Sequence, residues 1–138
     1  MEACEEKGRF EVFLTMKYLV ILQTVTSSKR LPAKALLTLG EIPLFLFCAK
    51  RIKNLELVVA TSNEKNDDIL ERILNKENIE CFRGDRDDVL SRFIEIIKYK
   101  ELNDNDTIIR CTADNPIVDE NFISECKNFY EANNLEYF

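Results

Sequence analysis

Tyr18-Leu19-Val20-Ile21-Leu22 is a compact run of apolar, β-prone residues, followed by Gln23-Thr24-Val25-Thr26-Ser27-Ser28-Lys29-Arg30-Leu31-Pro32-Ala33-Lys34, a stretch without a carboxylate. An apolar run bounded by polar residues is the pattern of a strand buried on both faces. Leu57 to Ala60, Ile79 to Phe82 and Thr107 to Cys111 repeat it. Helical periods lie between these runs. Pro43 stands in the first turn of a segment from Leu44, with Lys50, Arg51 and Lys53 in its last turn, and Asp67 and Asp68 open a second helix with Ile69, Leu70, Ile73 and Leu74 as its stripe. Asp87 and Asp88 open a third, striped by Val89, Leu90, Phe93, Ile94 and Ile97 and ending on Lys98 and Lys100. Asp119 opens a fourth, with Phe122, Ile123, Cys126, Phe129 and Tyr130 on one face. This alternation predicts an α/β fold, an open and mostly parallel sheet with helices on both faces. Ligands of such sheets collect outside the carboxyl ends of the strands, where the strand order reverses. The loops after Leu22, Ala60, Phe82 and Cys111 are therefore the places to search for chemistry.

The chain has 138 residues, 19 Lys+Arg against 25 Asp+Glu, a net charge of −6 and no histidine. Without His there is no Ser-His-Asp or Cys-His pair, no His-ligated zinc and no imidazole base. Any catalysis runs on carboxylates, Lys, Arg, hydroxyls, Cys or a hard metal ion. A hydrophobic content of 46% suits one globular domain from Met16 to Phe138, while residues 1–15 carry no periodic pattern and read as a disordered N-terminal extension. The acidic balance speaks against a nucleic-acid partner. No apolar run approaches the roughly 20 residues that span a bilayer, and Glu2, Glu5 and Glu6 occupy the place of a signal peptide's basic region. Five cysteines without a CxxC spacing read as reduced thiols of a cytoplasmic protein.

The segment from Gln23 to Lys34 exceeds the two to six residues or so usual for a connection in this class of fold. It holds five hydroxyl or amide side chains (Gln23, Thr24, Thr26, Ser27, Ser28) and three cations (Lys29, Arg30, Lys34). Many donors, local positive charge and no competing carboxylate suit a polyphosphate, although a solvated polar loop has the same composition. The glycines and the GK[ST] ending of a Walker A loop are missing. After the second run, Thr61, Ser62 and Asn63 supply hydroxyl and amide groups, either to a ligand or as a cap for the helix near Asp67. After the third, Gly84 can take the positive φ of a sharp turn, and Arg83 is either a ligand contact or a surface charge. After the fourth, Asp114, with Pro116 fixing the turn, can hold Mg²⁺ against phosphate oxygens or serve the turn itself. A receiver-type phosphoacceptor domain would need an acidic cluster after the first strand, and that loop has none.

Gln23, Ser28, Arg30, Leu31, Pro32 and Lys34 stand at the spacing of a signature loop. They are followed in order by Leu36-Leu37, Leu39-Gly40, Pro43-Leu44, Val58 to Ser62, Phe82-Arg83-Gly84, Asp87 to Leu90 and Arg110 to Pro116. These blocks, over residues 17–126, resemble the bacterial sugar cytidylyltransferases, most closely the spore-coat polysaccharide biosynthesis type, related to acylneuraminate and 3-deoxy-manno-octulosonate cytidylyltransferases. The resemblance implies a Rossmann-like nucleotide-diphospho-sugar transferase fold and transfer of CMP from CTP to an acidic or cell-surface-polysaccharide sugar, with release of pyrophosphate. It implies Arg30 and Lys34 as catalytic cations, and Gln23, Ser27, Ser28, Thr61, Ser62, Arg83 and Gly84 as nucleotide-binding residues. It further implies Asp114 as the ligand of a Mg²⁺ cofactor, CTP and a sugar as partners, and leaves a homodimer open. The family is longer beyond the fourth helix, so the chain reads as its nucleotide-binding half. Val25 replaces a family Arg, and Ser27 and Ala33 replace glycines. The alternative is accordingly a truncated or degenerate homologue that binds nucleotide weakly or acts as an interaction module.

Overall fold

A computed structural model describes residues 16–137. The expected N-terminal extension, with Cys4, lies outside the described residues. Four strands, β1 (Tyr18–Gln23), β4 (Leu57–Ser62), β5 (Cys81–Gly84) and β6 (Thr107–Thr112), form one sheet. Its order is β5-β4-β1-β6, every neighbouring pair parallel. Two short strands, β2 (Thr38–Leu39) and β3 (Ile42–Pro43), make a small antiparallel ribbon before helix α1 (Leu44–Lys50). Helices α2 (Asp68–Lys76), α3 (Val89–Tyr99) and α4 (Glu120–Ala132) complete the chain.

The apolar runs become central strands because both sheet faces are covered. Leu19 and Ile21 of β1 and Val58 and Ala60 of β4 face α3 through Ile96. Val20, Leu22, Leu57 and Val59 face the opposite layer, formed by Phe45 and Cys48 of α1, Leu70 and Leu74 of α2, and Ile123 of α4. Each such aliphatic side chain removed from water contributes about 1.5–3 kcal/mol. Caps fix where the helices start: the Asp88 carboxylate accepts from the Ser91 N–H and that of Asp119 from the Phe122 N–H, both at 2.9 Å. Among the described residues no helix is long and apolar enough to cross a membrane.

Three details differ from the pattern read in the sequence. Helix α1 ends at Lys50, so Lys53 lies beyond it, and Arg51 leaves the helix to donate to Asp119 at 3.0 Å and to the carbonyls of Ile117 and Val118 at 3.3 Å. The fully buried residues of α3 are Arg92 and Ile96, an i, i+4 pair, with Phe93 of the expected stripe packed against the cluster that holds Ile96. Leu90 and Ile94 are 70% and 41% exposed. On α4 only Ile123 is buried, and Phe122 and Phe129 are about half exposed. The cause is topological: among the described residues β6 pairs only with β1. Its free edge borders a groove of about 950 Å³ lined in part by Ile108, Arg110, Phe122, Cys126 and Tyr130.

Candidate functional site

The chain runs from β1 outward to β4 and β5 on one side and then returns to β6 on the other. The strand order therefore reverses between β1 and β6, and the loops after these two strands flank the crevice where an open α/β sheet takes its ligand. The backbone ties the loops together: the Ala113 N–H donates to the Gln23 carbonyl at 3.1 Å. The ammonium of Lys34, from the first loop, donates to the carboxylate of Asp114, from the second, at 2.6 Å. Residues 80 positions apart thus meet at the switch point. Hydrogen bonds from Lys34 and from the Thr112 side chain hold the Asp114 carboxyl below the ordinary Asp range.

The first loop is folded on Thr26, whose carbonyl accepts from the N–H groups of Ser28 at 3.0 Å and Ala33 at 2.8 Å. Ser27 and Ser28 are half-buried beside this turn, and Lys29 and Arg30 are exposed at its tip. Ala33 sits in the left-handed region at φ 55°, ψ 23°. A Cβ is strained there by about 1 kcal/mol, which is the cost of alanine at a position where the resembling family carries glycine. Ala33→Gly is expected to raise the unfolding free energy by about 1 kcal/mol, measured by urea denaturation. An unchanged or lower value would show that the loop carries no strain. The Gln23 Oε1, at the end of β1, is buried and accepts no hydrogen bond.

The other expected residues stand at the ends of β4 and β5, on the side of β1 away from β6, and the structure gives the side chains of Thr61, Ser62 and Arg83 internal partners. Thr61 and Ser62 are fully buried, and their hydroxyls donate to Asp67. Arg83 is held by Asp68 at 2.7 Å, Glu71 at 2.9 Å, and the carbonyls of Ser62 and Glu64 at 3.0 and 2.7 Å. Gly84 takes no positive φ, unlike Gly40. Its lack of a Cβ serves packing instead, because a Cβ there would meet Arg92 Cγ at 2.4 Å. Arg92 is buried, donating to the carbonyls of Asp85 and Arg86 at 3.1 Å. Of the expected residues, Lys34 and Asp114 meet at the crevice, Ser27 and Ser28 stand on the first loop, and the side chains of Thr61, Ser62 and Arg83 have partners within the protein.

Asp67 was legible only as an acidic helix start. It is 1% exposed, and its carboxylate ties the first loop to the end of β4. Burial raises its pKa, but the Ser62 and Thr26 hydroxyls, the Thr26 N–H and the Thr61 hydroxyl outweigh that and hold it below the ordinary range. No spacing rule links Thr26 to a residue 41 positions away. The thiols of Cys48 and Cys81 are pushed up to about 11 and about 12, chiefly by burial, which makes both poor nucleophiles.

Residues 19–138 match the family model described as cytidylyltransferase. The chain belongs to the cytidylyltransferase family. It is 38% identical over 109 residues to the spore coat polysaccharide biosynthesis protein SpsF of Bacillus subtilis, covering 73% of this chain and 44% of that protein. It is 35% identical over 126 residues to an uncharacterized protein of Methanocaldococcus jannaschii, covering 88% of this chain and 51% of the relative. Among solved structures, a cytidylyltransferase from Leptospira borgpetersenii superposes with a TM-score of 0.77 at 29% identity, over 86% of this chain and 50% of the other. A CMP:2-keto-3-deoxy-manno-octonic acid synthetase shares the fold, with a TM-score of 0.68 at 17% identity over 86% and 48% of the two chains. This cytidylyltransferase chain therefore spans about half the length of the relatives it matches.

Among the described residues no group of three or more Asp, Glu or Cys side chains could hold a metal ion. Mg²⁺ keeps several waters and takes one or two carboxylates together with substrate phosphates, so it does not call for such a group. Asp114 is the carboxylate at the crevice and fits that role.

Proposed function

We propose that this cytidylyltransferase domain binds the triphosphate of CTP in the crevice between β1 and β6 and serves transfer of CMP to a sugar hydroxyl. The meeting of Lys34 and Asp114 at the switch point carries this reading, because it joins a phosphate-seeking cation and a metal-seeking carboxylate in one place. Lys34, with Arg30 from the exposed tip, neutralises the β- and γ-phosphates. Ser27 and Ser28 lend hydroxyl and backbone donors, and Gln23 stands at the end of β1 beside them. Asp114 would hold Mg²⁺, which when bound withdraws charge from the phosphate oxygens.

In the transfer, the sugar hydroxyl oxygen forms a bond to the α-phosphorus and the bond from that phosphorus to the α,β-bridging oxygen breaks. The hydroxyl proton passes to solvent, and pyrophosphate leaves with the bond's electron pair. Such reactions depend on alignment and charge neutralisation rather than on an imidazole base, so a chain without His is equipped for them. Binding at 100 times Kd adds about 2.7 kcal/mol to stability, roughly 9 °C in Tm for a chain of this size. CTP with Mg²⁺ is expected to raise the melting temperature of the 138-residue chain on this scale. An unchanged Tm at millimolar CTP would refute the reading.

A further inference from the structure

The Asp67 carboxylate accepts five hydrogen bonds inside the protein. One oxygen takes the Thr26 N–H at 2.8 Å and the Thr26 hydroxyl at 2.5 Å. The other takes the Thr61 hydroxyl at 2.9 Å, the Ser62 N–H at 3.2 Å and the Ser62 hydroxyl. Thr26 in turn receives the Ser28 and Ala33 N–H groups on its carbonyl, and Ala33 is followed by Lys34. A chain of contacts therefore runs from the end of β4, through one carboxylate, to the residue that carries the ammonium at Asp114. The buried guanidinium of Arg92 attracts the same carboxylate.

We infer that Asp67 is the positioning residue of the first loop: without touching a ligand, it sets where the Ser28 N–H and the Lys34 ammonium stand. This rests on the nucleotide reading above. The physical argument is one of donors. A buried carboxylate is tolerated only when its lone pairs are filled, and here all the direct partners are donors. An amide of the same shape keeps one acceptor oxygen and brings two N–H donors of its own. It can satisfy the β4 side or the loop side, not both. The β4 side offers three donors on a strand locked into the sheet, and the loop side offers two, both from Thr26. The loop is the side that lets go.

Calorimetric titration of the full chain with CTP and Mg²⁺ tests this on Asp67→Asn, on Thr26→Val, and on Ile96→Val as a control from the opposite sheet face. Asp67→Asn is expected to weaken CTP binding by about tenfold or more and Thr26→Val by about threefold or more. Ile96→Val lowers Tm but leaves Kd within about twofold. The inference is overturned if either loop variant binds CTP like the wild type, or if Ile96→Val loses as much affinity for an equal loss of Tm. Thr26→Val removes only one hydroxyl and keeps the test available should Asp67→Asn fail to fold. Amide exchange separates this inference from the nucleotide reading. The Ser28 and Ala33 N–H groups should exchange at least about tenfold faster in the loop variants, with β1 amides unchanged. Unchanged protection at these two amides overturns the anchor whether or not CTP binds, whereas a wild type that ignores CTP while the variants show faster exchange refutes only the nucleotide reading.

Discussion

Lys34→Ala is expected to abolish the CTP-dependent rise in melting temperature while leaving the ligand-free protein nearly as stable as before. The two effects separate because Lys34 has one partner in the free chain and another in the complex. Its ion pair with Asp114 is about one-third exposed on the lysine side and more on the aspartate side. Such a pair is worth at most about 1 kcal/mol. A charge-assisted contact to a phosphate is worth about 1.5–3 kcal/mol, so its loss weakens binding by roughly 10- to 100-fold. Urea denaturation and calorimetric titration of the same preparation check both halves. Retention of wild-type affinity would remove Lys34 from the site, and a large loss of ligand-free stability would recast it as a structural residue.

The largest loss of stability from a single added carbon falls on Gly84→Ala. The new Cβ would stand 2.4 Å from Arg92 Cγ and 3.4 Å from its Cβ and Cδ. Arg92 cannot swing away, since it is 1% exposed and two of its nitrogens are bonded to the carbonyls of Asp85 and Arg86. Overpacking of this kind costs about 2–3 kcal/mol, or roughly 7–10 °C in Tm for a chain of this length. In an Arg92→Leu background the clash is relieved and the cost of Gly84→Ala should shrink, which a double-mutant cycle measures. A Gly84→Ala protein within about 0.5 kcal/mol of the wild type would show that α3 slides aside with ease.

The two central strands were legible because β1 and β4 are enclosed on both faces, and only such strands carry unbroken apolar runs. The sequence narrowed the crevice to four strand-end loops, since strand ends at a reversal of order are where ligands of an open sheet collect, but which two loops flank the reversal depends on the strand order. The face of α3 was legible only in part, through Phe93, which packs beside Ile96. Leu90 and Ile94 have the chemistry of a buried stripe, yet Arg92 and Ile96 occupy it, and a wholly buried guanidinium contradicts every hydropathy pattern. For Thr61 and Ser62 the sequence left two readings open. A hydroxyl at a strand end serves a ligand or a buried carboxylate equally well, and the partner that decides, Asp67, lies on the next helical turn.

The bond from the Ala113 N–H to the Gln23 carbonyl has a mechanical consequence. Among the described residues Asp114 follows β6, and Lys34 hangs from the loop of β1, the strand to which β6 is laced. The pair thus spans two loops tied to adjacent strands. A polyphosphate held by both residues would act as a splint across them, firming one loop against the other as it is gripped.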